Sequence, residues 1–186
     1  MLESELNDQP RPTLDELLLR ARRGDRSAFD AMVLRVEDDV FKTALYLVRN
    51  LDDAADVAQE VYVKLITKSG GLKHWSNPRG WIHRVTVNAA RDLIRKRRLW
   101  LPVTASLRWF RPADPVQSEE LANRLAGAMA DLSFRERAAF TLRELQEIDT
   151  AEVARIMGCR PTTVRGYVHA ARQKLQEHFP EYGRES

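Results

Sequence analysis

The residues Gly158, Cys159, Arg160 and Pro161 constrain this chain more than any others. They interrupt "VARIMGCRPTTVRGYV" (153–168), which reads as helix on both flanks. Glycine tolerates the left-handed backbone that ends a helix. Proline at the first position of the next helix loses nothing, because its N–H would have had no partner there. Ala154 places a small side chain where two helices touch, and Val164 and Val168 return to the core. Ala, Gly and Val at these positions form the helix-turn-helix pattern, whose second helix projects its first turns toward a DNA major groove. The outward set is Arg160, Thr162, Thr163, Arg165, Gly166, Tyr167 and His169, and no acid occurs from Pro161 to Gln176. Arginine reads guanine edges or binds phosphate, and threonine binds phosphate or meets a thymine methyl. The plainer alternative is a helical hairpin with a polar face. Cys159, the lone cysteine, reads as a small inert core residue. It excludes an internal disulfide and any multi-cysteine zinc site, and points to a reducing, cytoplasmic setting.

The other segments share the helical period, and no alternating strand pattern, repeat or low-complexity tract occurs, so the expected fold is all-α. Thr13 and Glu16 predict a capping box, and Gly24 a stop. A longer helix after Asp25 carries Phe29, Val33, Val36, Val40, Ala44 and Leu47 on one face, with Asn50 as its expected stop. "DDAADVAQEVYVKLI" opens with acids suited to a helix amino terminus, and "SGG" at 69–71 closes it. Asn77 and Pro78 predict a helix to about Arg98. Residues 99–117 then read as a linker, rich in proline but carrying Trp100, Trp109 and Phe110, which suit docking. Beyond it come a helix with Leu121, Leu125 and Met129, one capped by Ser133 and Glu136, and the interrupted pair. The expected organisation is two small helical domains, 1–98 and 118–186, joined by that linker, the second a helix-turn-helix domain. No stretch suits a signal peptide or a membrane span.

The formal net charge is only +3, but its distribution is uneven. From Lys73 to Arg111 stand Lys73, Arg79, Arg84, Arg91, Arg95, Lys96, Arg97, Arg98, Arg108 and Arg111 against one acid, Asp92. That excess is a candidate polyanion surface. Within it Trp81, Arg84, Asn88, Arg91 and Arg95 fall along one helix face, while Ile82, Val85, Ala89 and Leu93 fall along another. An aromatic ring, an amide and arginines suit unpaired DNA: the ring stacks, the amide reads a base edge and the arginines hold the backbone. Trp81 suits the core and DNA contact equally. The preceding helix has the opposite character. Asp53, Asp56, Gln59 and Glu60 make an acidic, polar face that would repel DNA and suits a basic protein surface, while Val57, Val61 and Leu65 make the apolar one.

Three stretches together resemble the bacterial sigma factors of the sigma-70 family. "DAADVAQEVYVKL" is similar to their acidic helix and "WIHRVTVNAARDLIRKRR" to their promoter-melting helix. "LSFRERAAFTLRELQEIDTAEVARIMGCRPTTVRGYVHAARQKL" is similar to their carboxy-terminal helix-turn-helix domain. Length and plan resemble the extracytoplasmic function (ECF) subgroup, which keeps sigma domains 2 and 4. The resemblance implies a promoter-specificity subunit that binds core RNA polymerase through the β′ coiled coil and the β subunit, recognises −35 and −10 elements and melts the promoter. It places Asp56, Gln59 and Glu60 at the β′ coiled coil, Lys73 to Arg95 at the −10 element, the helix after Pro161 at the −35 element and the linker toward the RNA exit channel. An anti-sigma protein is a further candidate partner. The chain departs from the family at Ser133, where a proline is usual, and at Thr162, Gly166, Tyr167 and Ala170 in the recognition helix. These changes bear on −35 preference rather than on the fold.

Two other classes compete. A stand-alone helix-turn-helix regulator leaves the Trp81–Arg95 face and the acidic helix unused and expects a dimerisation element, for which no heptad run exists. A nucleic-acid enzyme needs a metal-spaced carboxylate cluster, a nucleophile constellation or a phosphate-cradling loop, and the sequence offers none, nor a cofactor motif.

Overall fold

A computed structural model of the chain describes residues 12–68, 77–100 and 127–179. The readings of "SGG", of Lys73, of Leu121 and Leu125 and of the linker beyond Trp100 lie outside these residues.

The described elements are helical. In order they are α1 (Leu14–Arg22), α2 (Arg26–Val48), α3 (Leu51–Lys68), α4 (Pro78–Trp100), α5 (Phe134–Phe140), a π-helical turn (Thr141–Leu145), α6 (Thr150–Met157) and α7 (Pro161–His178). Residues 127–131 are also helical. Helices α1 to α4 form one domain and the later elements a second. Among the described residues no helix is long and apolar enough to cross a membrane.

Local chemistry sets the ends. Thr13 and Glu16 form a reciprocal capping box on α1, and Ser133 and Glu136 another on α5, each satisfying two amides that a helix start leaves without partners. Asp25 caps α2 through Ala28 N–H, and the pair of bonds it accepts, with Arg20 beside it, holds its carboxyl down to about 2. The end of α2 differs from expectation. Arg49, at φ 61°, takes the left-handed cap, and Asn50 instead accepts from Asp53 N–H at 2.9 Å, so it starts α3. Helix α4 runs two residues past the expected stop, through Leu99 and Trp100. Neither residue disfavours helix, and the first proline is Pro102.

In the first domain α2 packs against α1, α3 and α4, and α3 against α4. Met32, Val36, Val40, Ala44 and Leu47 line the buried side of α2, while Phe29 and Val33 are only half-buried. Val57, Val61 and Leu65 of α3 and Ile82 and Ala89 of α4 close the core. Each fully buried valine or leucine contributes about 1.5–3 kcal/mol. His83 of α4 is also inside, 1% exposed, and desolvation followed by the nearby Arg79 pushes its imidazole down to about 4, against the pull of Asp39.

The second domain hangs on α7. Lys174 pairs with Glu136 at 2.8 Å, Arg172 with Glu144 at 2.6 Å and His178 with Asp131 at 2.6 Å. Buried Arg137 donates to the Met129 carbonyl at 2.8 Å. After Phe140 the helix widens: Gln146 N–H reaches Thr141 O and Ile148 N–H reaches Leu142 O. This π-helical turn redirects the chain into α6.

The two domains share a core. α6 packs on α4, and α5 with its π-helical turn packs on α2. One buried cluster joins Trp81, Ile82 and Ala89 to Ala138, Leu142, Val153, Ile156 and Val164, and Tyr46 of α2 packs with Met129, Leu132 and Ala171.

Candidate nucleic-acid interface

The interruption at 158–161 folds as the turn of a helix-turn-helix. Gly158 adopts φ 65° and ψ 42°, and its N–H and that of Cys159 both bond Ala154 O. Arg160 is extended at φ −81° and ψ 149°, and Pro161 opens α7. Ala154, Val164 and Val168 are buried, so α6 and α7 meet along the small and branched residues the pattern requires. Arg160, Thr162, Arg165, Gly166 and His169 are exposed along the first half of α7, and Thr163 is half-buried. Tyr167 is half-buried too, because its hydroxyl accepts from Arg135 Nη1 at 3.2 Å.

The basic residues of α7 thus divide into two groups. Arg172, Lys174 and His178 are paired with acids of their own domain. Among the described residues no ion pair engages Arg160, Arg165 or His169. A cation with no internal acid remains available to an external phosphate or base edge.

Helix α4 is different. Arg84, Arg91 and Arg95 are exposed as its face predicts, but Trp81 is 7% exposed and belongs to the shared core. Of its two readings, the structure places the ring inside. Asn88 is half-buried and accepts from Arg91 Nη2 at 2.9 Å. Arg95 lies 3.7 Å from Asp92, Arg79 is bound to Asp39 of α2 at 2.7 Å, and Arg97 pairs with Asp53 of α3. Several charges of the basic stretch therefore hold the domain together. Asn88 and Arg91 form one wall of a cleft of about 150 Å³ whose other wall includes Arg135, Met157, Cys159 and Tyr167.

On α3, Asp56, Gln59 and Glu60 are exposed along one edge, with Glu60 bonded to Lys64 one turn on. Asp53 corrects the expected acidic face. It is 2% exposed, its carboxyl is pushed up by desolvation against the pull of Arg97, and it faces α4 rather than solvent. The helical period brings Asp53 one turn before Val57 and two before Val61, on the buried side. Sequence reasoning also missed Gly80 and Glu152. These meet where α4 and α6 cross: a Cβ on Gly80 would lie 2.1 Å from Glu152 Oε1. The available signal was a glycine in a helical first turn with no turn to make.

Residues 32–99 match the Sigma-70 region 2 family, and residues 122–175 match the Sigma-70, region 4 family. ECF RNA polymerase sigma factor SigM of Mycobacterium tuberculosis is 31% identical over 161 residues, covering 86% of this chain and 81% of that protein. RNA polymerase sigma-H factor of Pseudomonas aeruginosa is 26% identical over 185 residues, covering 92% of this chain and 96% of its own. The fold is also that of the sigma factor RpoE from Bartonella quintana, solved in complex with the anti-sigma factor NepR: TM-score 0.72, 24% identity, covering 84% of this chain and 98% of that one. With both regions in order and the SigM likeness spanning most of the chain, this protein is an ECF sigma factor of the sigma-70 family, acting in transcription initiation.

Proposed function

We propose that the chain binds core RNA polymerase in the cytoplasm and directs it to promoters with a −35 and a −10 element. On this reading residues 1–98 bind core enzyme and open the −10 element, 99–117 connect, and 118–186 read the −35 element. The chain supplies binding energy, and polymerase does the chemistry. The observation that carries the reading is the first half of α7. It projects from a helix-turn-helix with Arg160, Thr162, Arg165 and His169 exposed and, among the described residues, no acid paired with Arg160, Arg165 or His169. Arg165 is then a base reader, Arg160 and His169 phosphate contacts, and Thr162, Thr163 and Tyr167 flank them. On α4, Arg84, Arg91 and Arg95 hold the backbone while Asn88 reads an unpaired base.

The core-binding edge is Asp56, Gln59 and Glu60, a carboxylate-rich strip that fits the basic side of a polymerase helix pair. Asp53 is left out of it because it is buried. The β′ coiled coil takes this strip, and the β subunit meets the second domain. An anti-sigma protein is a further partner, by likeness to the NepR complex.

Purified protein mixed with core polymerase and a promoter template should give specific initiation. Asp56→Arg with Glu60→Arg should remove core binding and leave the melting curve unchanged, since both residues are exposed. Unaltered affinity for core enzyme would remove α3 from the interface.

A further inference from the structure

Gly80 sits in the first turn of α4, where alanine would favour the helix by about 1 kcal/mol. Its backbone does not need glycine, since the positive-φ glycines among the described residues are Gly24 and Gly158. What does need it is Glu152. A Cβ at position 80 would lie 2.1 Å from Glu152 Oε1 and 3.2 Å from its Cδ, with Asn77 Nδ2 of the helix cap at 3.0 Å, so the carboxylate takes most of the space that a side chain would fill. Glu152 belongs to the other domain, at the start of α6. It is 9% exposed, and its second oxygen, Oε2, is held by Arg155 Nη1 at 2.6 Å. A helix-turn-helix standing alone has no use for a buried glutamate on its outer side. Here the carboxylate lies on the positive amino-terminal turn of α4, where a negative charge is stabilised. A second seam closes the same gap. Tyr46 of α2 packs with Met129, Leu132 and Ala171, and Asp131 attracts Arg49 from across it.

We infer that Glu152 on Gly80 is a latch, which holds the helix-turn-helix domain shut on α4 and keeps the base-facing edge of α4 covered in the free protein. Asn88 and Arg91 face Arg135, Met157, Cys159 and Tyr167 across about 150 Å³, room for a few waters but not for a DNA strand. Trp81 lies two turns before Asn88 on nearly the same edge and is 7% exposed. Stacking on a base needs an open ring face. Helix α4 therefore accepts an unpaired base only after α6 has moved off it. The latch itself stands on geometry. Its consequence for DNA rests on the reading of α4 given above, so the two are measured separately.

Closure is read by energy transfer between dyes on Asp30→Cys and Gln173→Cys, one exposed site in each domain, in a full-length Cys159→Ser background. Uptake of single-stranded DNA is read by anisotropy of a fluorescein-labelled thymidine oligonucleotide, without polymerase. The parent should show high transfer. Gly80→Ala, which displaces the carboxylate, and Glu152→Lys, which reverses its charge, should both lower it. Glu152→Lys guards against a folding defect in α4, because an opened domain leaves that lysine in water. Gly80→Ala adds no charge, and it should take up the oligonucleotide about fivefold more tightly as the open fraction rises. Low transfer in the parent, or transfer unchanged in both variants, overturns the latch. Lower transfer with unchanged uptake keeps the latch and overturns the DNA role of α4.

Discussion

Helices α4 and α7 are both basic, both long and both expected to touch DNA, yet they hold their charges differently. Among the described residues no acid pairs with Arg160, Arg165 or His169 in the first half of α7, and its far half ties Arg172, Lys174 and His178 to its own domain. Helix α4 does not divide so neatly. Arg79 and Arg97 bind Asp39 and Asp53 at its two ends, and between them Asn88 and Arg91 face the other domain across a narrow cleft. Basic density along a sequence is therefore not the same as positive charge offered to a partner. A cation already paired inside the fold contributes stability, and it must be released before it contributes affinity.

Substitution of Arg160 and Arg165 should give the largest effect. Arg160→Ala with Arg165→Ala is expected to weaken binding to the upstream promoter element about a hundredfold, since a base contact by Arg165 is worth about 1–3 kcal/mol and a charge-assisted phosphate contact by Arg160 about 1.5–3 kcal/mol. Stability should stay within about 0.5 kcal/mol of the parent, because both side chains are exposed. Binding to matched and mismatched duplexes, with urea unfolding alongside, checks both halves. A stability loss equal to the binding loss would erase the contrast with α4.

Arg97→Ala should behave in the opposite way. It strands the buried Asp53 carboxylate, and because the Arg97 side chain is itself 44% exposed the loss is about 2 kcal/mol rather than the full cost of breaking a buried pair. Urea unfolding reads this directly. Asp53→Asn with Arg97→Ala should recover part of it, since no charge is then left inside.

What the sequence made legible in these helices is whatever depends on near neighbours. The capping boxes at Thr13 and Ser133, the left-handed Gly158 and Pro161 at the start of α7 were all readable, because each needs only residues within one turn. The buried faces of α2 and α3 follow the same period. Asp53 was misread although it stands four and eight residues before Val57 and Val61, in line with the buried face: its charge suggested an outward position, and the partner that lets it turn inward, Arg97, lies on another helix. Trp81 was left open because a large aromatic suits core and base stacking equally, and the core it joins also includes residues of the domain that follows the linker. Asn50 was taken as a stop because asparagine serves both helix ends, and Arg49, a poor choice for a left-handed cap, filled the role instead. The seam between Gly80 and Glu152 had no local sign beyond the glycine itself.

His83 sharpens the comparison from inside α4. Above its ordinary value of 6.5 the ring is neutral in the folded and unfolded chain alike. As pH falls below that, the unfolded chain binds a proton, and the folded chain does not until about 4, so stability is lost across this window. The expected loss between pH 7 and pH 5 is about 2 kcal/mol. His83→Leu should flatten the dependence over that range. Asp25 acts lower, its stabilising contribution fading only as pH falls from 3.8 through about 2, so the two are separable by titration. A parent whose midpoint is level from pH 7 to pH 5 would place the ring in contact with solvent.

The smallest expected effect tests where α4 stops being structural. Asn88 is half-buried, on the edge of the cleft, and its carbonyl oxygen accepts from Arg91 at 2.9 Å. That bond offers a plain account of the residue: it steadies an arginine. It does not account for the amide nitrogen, which an aspartate in the same role would not need. A paired donor and acceptor is what matches the edge of an unstacked base. Asn88→Ala should therefore leave duplex promoter binding and the melting curve nearly unchanged, and should cost strand opening about 1 kcal/mol, the net worth of one neutral hydrogen bond. Permanganate reactivity of unpaired thymines in the polymerase complex measures this, and a pre-melted −10 bubble should restore part of the lost activity. Asn88→Asp divides the two roles. It keeps an acceptor for Arg91 but offers no donor to a base and adds a negative charge beside the DNA. If Asn88→Asp opens the promoter as fully as the parent, the amide serves only Arg91, and base reading moves to another residue of α4.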